Sequence, residues 1–245
     1  GDSATEHTIS LIVKAPLSPE DSVFAEHFKD SLKPIYENET KYYCEFISET
    51  YKLSKHNVVP KYYQSPNPLC VVLEDLKASG FEMVDRRKLL DFDHCKLFTE
   101  ASAKLHALAI AINKSNPEVI KSFGIDSETL DEQIKSVMCN NLIYITTYLK
   151  DKPAYKKQFD ITKELSENGI FWTIYKEMMD ACNSNPIRTL TQADPWCTNM
   201  MFRYSSGRVQ AIKIIDFQSV KLNSPIIELV MFLSMSANLE EILQN

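Results

Sequence analysis

Three oxygen-bearing side chains in the C-terminal quarter of the sequence have an order and spacing suited to phosphate chemistry. Asp194 is followed five positions later by Asn199, and Asp216 comes seventeen positions after that. In phosphoryl transfer by kinases, a first carboxylate orients the attacking hydroxyl, while a later asparagine and aspartate bind the Mg²⁺ ions that bridge the nucleotide phosphates. The spacing therefore predicts a catalytic role for Asp194 and metal ligation by Asn199 and Asp216.

The segment between the two predicted metal ligands has the pattern of a β-hairpin. Two apolar runs, Met200–Tyr204 and Val209–Ile215, flank the turn residues Ser205-Ser206-Gly207, and glycine adopts positive φ at little cost. Such a hairpin returns Asn199 and Asp216 to the same end. By itself, Asp-x-x-x-x-Asn more often marks a turn or a helix cap. The hairpin pattern and the Asp-Phe-Gln ending favour the phosphate site.

A lysine far upstream could supply the positive charge for the phosphates. The β-rich run Thr8–Lys14 ends on Lys14, which matches the kinase arrangement in which a strand lysine meets the α- and β-phosphates. The alternative is that the lysine simply reaches water. Glu39, on a predicted helix, is the preferred partner to hold Lys14, and Glu37 and Glu45 are its competitors.

Two further strands are predicted at Val58–Tyr63 and Leu69–Leu76, separated by a proline-rich turn. The second strand is the natural route out of a small β-rich lobe. In that role Glu74 to Leu76 form a hinge, and the backbone groups of Glu74 and Leu76 bind an adenine. The alternative is that Glu74 merely ends the strand.

Helical periodicity accounts for most of the remaining chain. His106 lies in one of these segments, where we interpret it as a hydrogen-bonded core residue and not as a catalyst. A helix is predicted to start at Ser18, with Phe24, Phe28 and Leu32 on its apolar stripe. The other predicted helices are the segment after Pro34 and the segments Asp93–Ile112, Ser127–Leu149, Phe171–Cys182 and Pro225–Met235.

Composition narrows the possible partners. The 245 residues, 44% of them hydrophobic, suffice for one large domain or two modest lobes. A net charge of −6 argues against nucleic acid, which requires a basic face. We expect no membrane partner, because no apolar stretch approaches a bilayer span and the N-terminus lacks the features of a signal peptide. No feature indicates an obligate protein partner.

The cysteines and glycines carry separate information. Six cysteines are scattered without C-x-x-C spacing or a partnering histidine pair, which predicts free thiols and a cytoplasmic location. The chain has only five glycines, and no glycine-rich hairpin for covering phosphates is visible. We therefore expect these residues to be part of a longer chain.

Taken together, these segments resemble the ecdysteroid kinase-like family, also called CHK kinase-like, within the choline kinase and aminoglycoside phosphotransferase group. The combination of Val-Leu-Glu-Asp-Leu, Asp-x-Trp-x-x-Asn and Asp-Phe-Gln is specific to that family. The likeness extends from Thr8 to Ser234. The matching segments are Leu11–Lys14, Val72–Leu76 with Gly80-Phe81 close behind, Ala103–Ala107, Asp194–Phe202, Ile215–Gln218 and Ser224-Pro225.

The resemblance implies an α+β, bilobal protein-kinase-like fold. Its small β-rich, nucleotide-binding N-lobe would be residues 1–76, and its mainly helical C-lobe would be residues 77–245. It also implies that ATP, with Mg²⁺, phosphorylates a hydroxyl of a small molecule. The implied substrates are ecdysteroids or other hydroxylated, largely apolar compounds, typically in an arthropod.

Each family role falls on a residue already singled out. By resemblance, Asp194 orients the acceptor hydroxyl, Asn199 and Asp216 hold Mg²⁺, and Lys14 contacts the phosphates while Glu39 holds it. A loose transition state needs charge compensation and in-line placement more than a strong base.

Two departures from the family pattern leave a second interpretation open. Gln192-Ala193 stands where the family usually has His-Gly, and Glu228 replaces an aspartate. Alanine would strain the loop if that position needs positive φ, and the glutamine could replace one histidine hydrogen bond. The alternative function is a pseudokinase-like protein that binds a nucleotide or an apolar ligand. Choline or ethanolamine kinase is disfavoured, because no aromatic and acidic cage is identifiable.

Overall fold

A computed structural model of the chain describes residues 8–16, 34–123, 128–167 and 169–244. The helix predicted to start at Ser18 lies outside the described residues. Contacts divide the chain into two units, one formed by Gly1–Gly124 with Ile187–Asn245 and the other by Ile125–Pro186. All residues singled out for chemistry belong to the first unit.

The first unit begins with a three-stranded antiparallel sheet. Its strands are β1 (Leu11–Lys14), β2 (Tyr62–Tyr63) and β3 (Val71–Glu74), in the order β1–β3–β2. Leu11 lies opposite Glu74, which places Lys14 opposite Val71. The predicted strands are therefore confirmed, although each is shorter than its apolar run. Prolines flank β2 and β3, and proline cannot donate to a strand ladder.

Helix α1 covers residues 34–53 and changes its winding in the middle. Residues 34–41 are α-helical, Tyr42–Ile47 form a π-helix, and Ser48–Leu53 are α-helical again. The Tyr42 ring stacks on Phe217, one residue past Asp216, with the ring centroids 4.0 Å apart. The helix was predicted but the π-helical turn was not. Such segments are rare and often lie at functional sites.

Helix α2 (Phe92–Ser115) is the central buried helix that the periodicity predicted. Asp91 caps it by accepting a hydrogen bond from the backbone N–H of His94. Its core-facing stripe includes Phe98, whose ring stacks on Phe232 with the centroids 4.0 Å apart. Phe232 belongs to α7 (Pro225–Ser236), also as predicted. Two short helices complete this set, α3 (Pro117–Lys121) and α8 (Leu239–Ile242).

Two small antiparallel sheets carry the remaining strands. The first pairs β4 (Thr189–Thr191) with β7 (Lys221–Asn223), and the second pairs β5 (Met200–Ser205) with β6 (Arg208–Ile214). Ser206 and Gly207 connect β5 to β6 with φ values of 50° and 74°. Two successive positive φ values are the requirement of a type I′ hairpin turn, so the predicted hairpin is confirmed.

All the regular secondary structure in the described residues of the second unit is helical. It contains α4 (Glu128–Leu149), a 3₁₀ turn at Pro153–Tyr155, α5 (Lys156–Ser166) and α6 (Ile170–Asn183). Helices α4 and α6 were predicted, whereas α5 was not. None of the helices in the described part of the chain combines the length and apolar character needed to span a bilayer. The fold class is α+β, as predicted.

The buried tyrosines and thiol of the first unit predict a loss of stability at alkaline pH. Burial raises the pKa of Tyr42 and Tyr43 well above 10, and it raises the pKa of the Cys95 thiol to about 12. The unfolded chain releases these protons at about pH 8.5 to 10, whereas the folded protein keeps them. We therefore expect the free energy of unfolding, measured in urea, to fall as the pH rises above about 9. Each tyrosine contributes up to about 1.4 kcal/mol per pH unit once the pH exceeds its unfolded pKa.

Tyr43→Phe tests the cause of this alkaline sensitivity. The buried Tyr43 hydroxyl has no hydrogen-bond partner among the described residues, so its removal costs little at pH 7. We expect the variant to lose stability less steeply than wild type above pH 10. Tyr155→Phe, at an exposed position, is the matched control and keeps the wild-type slope. Identical slopes for wild type and Tyr43→Phe would contradict the prediction.

Candidate active site

Asp194 and Asn199 lie in the segment that connects β4 to the hairpin, and they are bonded to each other. The Asn199 side-chain amide donates to Asp194 Oδ2 at 2.9 Å and to the Asp194 carbonyl oxygen at 3.0 Å. Both amide hydrogens are therefore turned toward Asp194. The Oδ1 atom of Asn199 is the oxygen left to bind a cation.

The hairpin brings Asp216 back to Asn199. The backbone N–H of Ile215 donates to the carbonyl oxygen of Asn199 at 3.0 Å, which closes the hairpin just before Asp216. Asp216 has a φ of 62°, a left-handed conformation that aspartate tolerates better than most residues. The two residues predicted to bind metal thus follow the same end of one hairpin.

Lys14 joins Asp216 to Glu39. Its Nζ atom lies 2.6 Å from Glu39 Oε2 and 2.9 Å from Asp216 Oδ1. Glu39 is 1% exposed, while about a third of Lys14 remains accessible at 32%. The other oxygen of Glu39 accepts a hydrogen bond from the backbone N–H of Phe217 at 3.1 Å. One buried carboxylate therefore holds both the lysine and the segment that carries Asp216.

The charges in this group depend on one another. Burial lowers the pKa of Lys14, but the Glu39 and Asp216 carboxylates outweigh burial and leave it above 10.5. Burial raises the pKa of Glu39 above its ordinary value, and the Lys14 ammonium opposes that rise only in part. Lys14 is therefore a cation at neutral pH, and Glu39 relies on it for charge compensation.

Asn38, next to Glu39 on α1, adds a contact that the sequence did not indicate. Its side-chain amide donates to the carbonyl oxygens of Gln218 at 3.0 Å and Val220 at 2.8 Å. The residues after Asp216 are therefore held by two neighbouring side chains of α1. No periodicity or motif distinguishes Asn38, because its partners lie about 180 residues away.

Gln192 connects the Asp194 segment to the Asp216 segment by more hydrogen bonds than expected. Its amide donates to the carbonyl oxygens of Ile215 at 2.9 Å and Asp216 at 3.0 Å. These are two hydrogen bonds, where the sequence led us to expect one. The fork of a side-chain amide reaches two carbonyls that follow each other along the chain, so Gln192 ties the Asp194 segment to Asp216.

Ala193 has a φ of 64°, so this position does require the left-handed conformation. That conformation costs an L residue about 1–2 kcal/mol, whereas glycine adopts it freely. The greater freedom of glycine in the unfolded chain offsets about 0.4–1 kcal/mol of this. We expect Ala193→Gly to stabilise the protein by about 0.5–1 kcal/mol, measured as a shift in urea unfolding.

Ala107→Gly is the matched control for this substitution. Ala107 is exposed on α2, where glycine costs about 1 kcal/mol relative to alanine. The two substitutions are thus expected to change stability in opposite directions. A loss of stability in Ala193→Gly would contradict the assignment of strain to this residue.

Glu228 is hydrogen-bonded to the segment that carries Asp194. It is 3% exposed, accepts a hydrogen bond from the backbone N–H of Gln192 and accepts another from the Ser102 hydroxyl. His106 Nε2 lies 3.1 Å from the same carboxylate. His106 therefore occupies a hydrogen-bonded position at the edge of the core. The longer side chain of Glu228 still reaches the loop.

The predicted hinge residues face different partners. The Glu74 side chain lies 3.0 Å from the ammonium of Lys213, a buried residue of β6. Leu76 is 4% exposed and packs with Phe81 and Met201. Lys213 was not singled out from the sequence, although a lysine within the apolar β6 strand was an available signal.

The described residues contain no cluster of three or more histidine, cysteine, aspartate or glutamate side chains that could hold a metal ion. The predicted ligands Asn199 and Asp216 are not such a cluster, because one of them is an amide. Two protein oxygens suit Mg²⁺, which commonly binds one or two side chains together with substrate phosphates and water.

A strand lysine paired with a helix glutamate, together with the Asp194, Asn199 and Asp216 arrangement on an α+β framework, defines the kinase-like class of fold. The chain belongs to the ecdysteroid kinase-like family, whose model matches residues 1–245. The resemblance inferred from the sequence motifs is thereby confirmed. Among curated proteins, none matches this sequence.

Solved structures similar to this chain include three phosphate-transfer proteins or complexes. A choline/ethanolamine kinase family protein from Mesorhizobium loti has 17% identity and a TM-score of 0.45, over 85% of this chain and 59% of its own. The streptomycin-ATP-APH(2″)-IIa ternary complex has 17% identity and a TM-score of 0.49, over 93% and 67%. Macrolide 2′-phosphotransferase MphH from Brachybacterium faecium has 13% identity and a TM-score of 0.42, over 96% of this chain and 67% of its own. The chain thus spans about six tenths to two thirds of their lengths.

Proposed function

We propose that this chain forms the phosphotransfer centre of a small-molecule kinase that uses ATP and Mg²⁺. The supporting observation is that Lys14, Glu39 and Asp216 converge within 3 Å contacts, next to the bonded pair Asp194 and Asn199. Family membership supports a hydroxylated small molecule as acceptor, and we propose an ecdysteroid or a similar hydroxylated, largely apolar compound.

In this proposal, each charged group has a separate task. Asp194 accepts a hydrogen bond from the acceptor hydroxyl and orients its oxygen toward the γ-phosphorus. Lys14 contacts the phosphates while Glu39 fixes its position. Asn199 Oδ1 and the Asp216 carboxylate would hold Mg²⁺, which would compensate the charge on the phosphate oxygens. As the new O–P bond forms, the bond between the γ-phosphorus and the β-phosphate oxygen breaks, ADP leaves, and the proton of the acceptor hydroxyl passes to the Asp194 carboxylate.

The end of β3 is proposed to bind the nucleotide base. The N–H groups of Glu74 and Asp75 already donate to the carbonyl oxygens of Lys61 and Ser10, at 2.9 and 3.2 Å. The Leu76 carbonyl accepts from two N–H groups of the following turn. We propose that the base contacts two hinge groups outside this set of bonds, the carbonyl of Glu74 and the N–H of Leu76. The division into an N-lobe of residues 1–76 and a C-lobe of residues 77–245 is part of this proposal.

The free state of all six cysteines supports the proposal that the protein works in a reducing compartment, the cytoplasm. None of the thiols is needed for the proposed chemistry.

Two measurements test the proposed function. First, Mg-ATP is expected to raise the melting temperature, and removal of Mg²⁺ with a chelator is expected to reduce the shift. Second, 20-hydroxyecdysone is expected to stimulate ADP release and to gain one phosphoryl group by mass spectrometry, with choline as the comparison acceptor. An absent thermal shift would refute nucleotide binding. Binding without transfer to any hydroxylated acceptor would refute the proposed phosphotransferase activity.

One observation favours a pseudokinase-like binding protein as the second candidate. The strained Ala193, with a φ of 64°, lies immediately before Asp194. Under this alternative the protein binds a nucleotide or an apolar ligand but does not turn over. Ala193→Gly then leaves ADP release at background, whereas a kinase keeps its wild-type rate or gains activity.

A further inference from the structure

Lys213 is a buried cation near the end of β6, the strand that leads to Asp216. It is 3% exposed and lies between Ile212 and Ile214, which are also buried. A lysine ammonium in such surroundings is unfavourable unless every donor finds a partner. Its position in the core therefore needs a specific explanation.

All three donors of the ammonium have acceptors. Lys213 Nζ donates to Asn57 Oδ1 at 2.6 Å and to the Val59 carbonyl oxygen at 2.8 Å, and it lies 3.0 Å from Glu74 Oε1. An ammonium has three hydrogens, so the set is complete. The surroundings of Lys213 therefore match the hydrogen-bonding needs of a buried ammonium.

The three acceptors lie in two other parts of the chain that pack against β6. Asn57 and Val59 follow α1, the helix that carries Glu39, and Glu74 ends β3. The N–H of Ile214 also donates to the Val58 carbonyl oxygen at 2.8 Å. One ammonium thus joins β6, the end of β3 and the segment after α1.

We propose that Lys213 is a positioning residue for the nucleotide. It fixes Glu74, whose carbonyl is the proposed acceptor for the base, relative to Asp216, the proposed metal ligand three residues along the chain from Lys213. The base and the phosphates of one nucleotide occupy these two places, so their separation decides whether both ends bind at once. This inference rests on the proposed function.

The alternative is that Lys213 only stabilises the fold. Both roles predict a lower melting temperature when the charge is removed, so stability alone does not separate them. They differ in the KM for ATP. A positioning residue changes the KM at temperatures where the variant is fully folded, whereas a purely structural residue does not.

The experiment compares Lys213→Met, Glu74→Gln and the double variant with wild type, far below their melting temperatures. We expect Lys213→Met to raise the KM for ATP about tenfold and to change kcat by less than about threefold, because it leaves Asp194 and Asn199 untouched. We expect Glu74→Gln to raise the KM by a smaller factor. The double variant is expected to resemble Lys213→Met, because both changes break one interaction.

Lys96→Met is the control, since Lys96 is exposed on α2, and it is expected to leave the KM unchanged. An unchanged KM in Lys213→Met overturns the inference while the proposed kinase stands. If Lys213→Met does not fold, Glu74→Gln decides, and an unchanged KM there overturns the inference equally. Failure of wild type to bind Mg-ATP overturns both the proposed function and this inference.

Discussion

Asp194→Asn is expected to reduce phosphotransfer about 1,000-fold or more while the protein still folds and binds Mg-ATP. The substitution removes the charge that accepts a hydrogen bond from the acceptor hydroxyl, but it keeps the size of the side chain. In the wild-type protein the Asn199 amide donates to Asp194 Oδ2 at 2.9 Å. The side-chain oxygen of the substituted asparagine can accept the same hydrogen bond. The loss is therefore expected in kcat and not in the affinity for the nucleotide.

The measurement is ADP release with an accepted substrate, alongside the thermal shift produced by Mg-ATP. Asp93→Asn serves as the matched control, because Asp93 is an exposed carboxylate of the same unit, and wild-type rates are expected. Full activity in Asp194→Asn would show that another group orients the acceptor. Loss of the thermal shift would instead assign Asp194 to nucleotide binding.

Lys14→Met is expected to lower kcat/KM by about 100- to 1,000-fold, because the phosphates lose their cationic contact. It is also expected to cost about 2 kcal/mol of stability. Removing one partner of a buried ion pair typically costs about 3–5 kcal/mol. The smaller value applies here because 32% of Lys14 is accessible, whereas Glu39 is 1% exposed and is left without its cation.

The double variant Lys14→Met/Glu39→Gln separates these two losses. Neutralising Glu39 removes the uncompensated charge, so the double variant is expected to be more stable than Lys14→Met in urea unfolding. Its activity is expected to stay as low as that of Lys14→Met. Lys88→Met, at an exposed lysine, is the control for both readouts. A double variant no more stable than Lys14→Met would argue that the buried carboxylate is not the source of the cost.

The hairpin and the long helices were predictable because their signals are local. Alternating apolar runs around Ser205-Ser206-Gly207 identify the hairpin, and a type I′ turn needs residues that accept positive φ. The stripe that includes Phe98 and Ile112 identifies the central helix in the same way. The π-helical turn at Tyr42–Ile47 had no such signal, because its winding depends on how its tyrosines pack against distant residues.

The sequence by itself determined which side chains could handle phosphate and metal, and in what order they occur. Asp194, Asn199 and Asp216 are set by spacing within one short stretch, where a hairpin leaves little freedom of placement. Only the tertiary structure decided that Glu39, and neither Glu37 nor Glu45, pairs with Lys14.

The tertiary structure also decided the backbone of Ala193 and the burial of Lys213. The reason is the distance along the chain between partners. Lys14 and Asp216 are 202 residues apart and Lys213 and Asn57 are 156 apart. Local patterns report which face of an element is buried, whereas contacts between remote residues exist only once all the elements have packed.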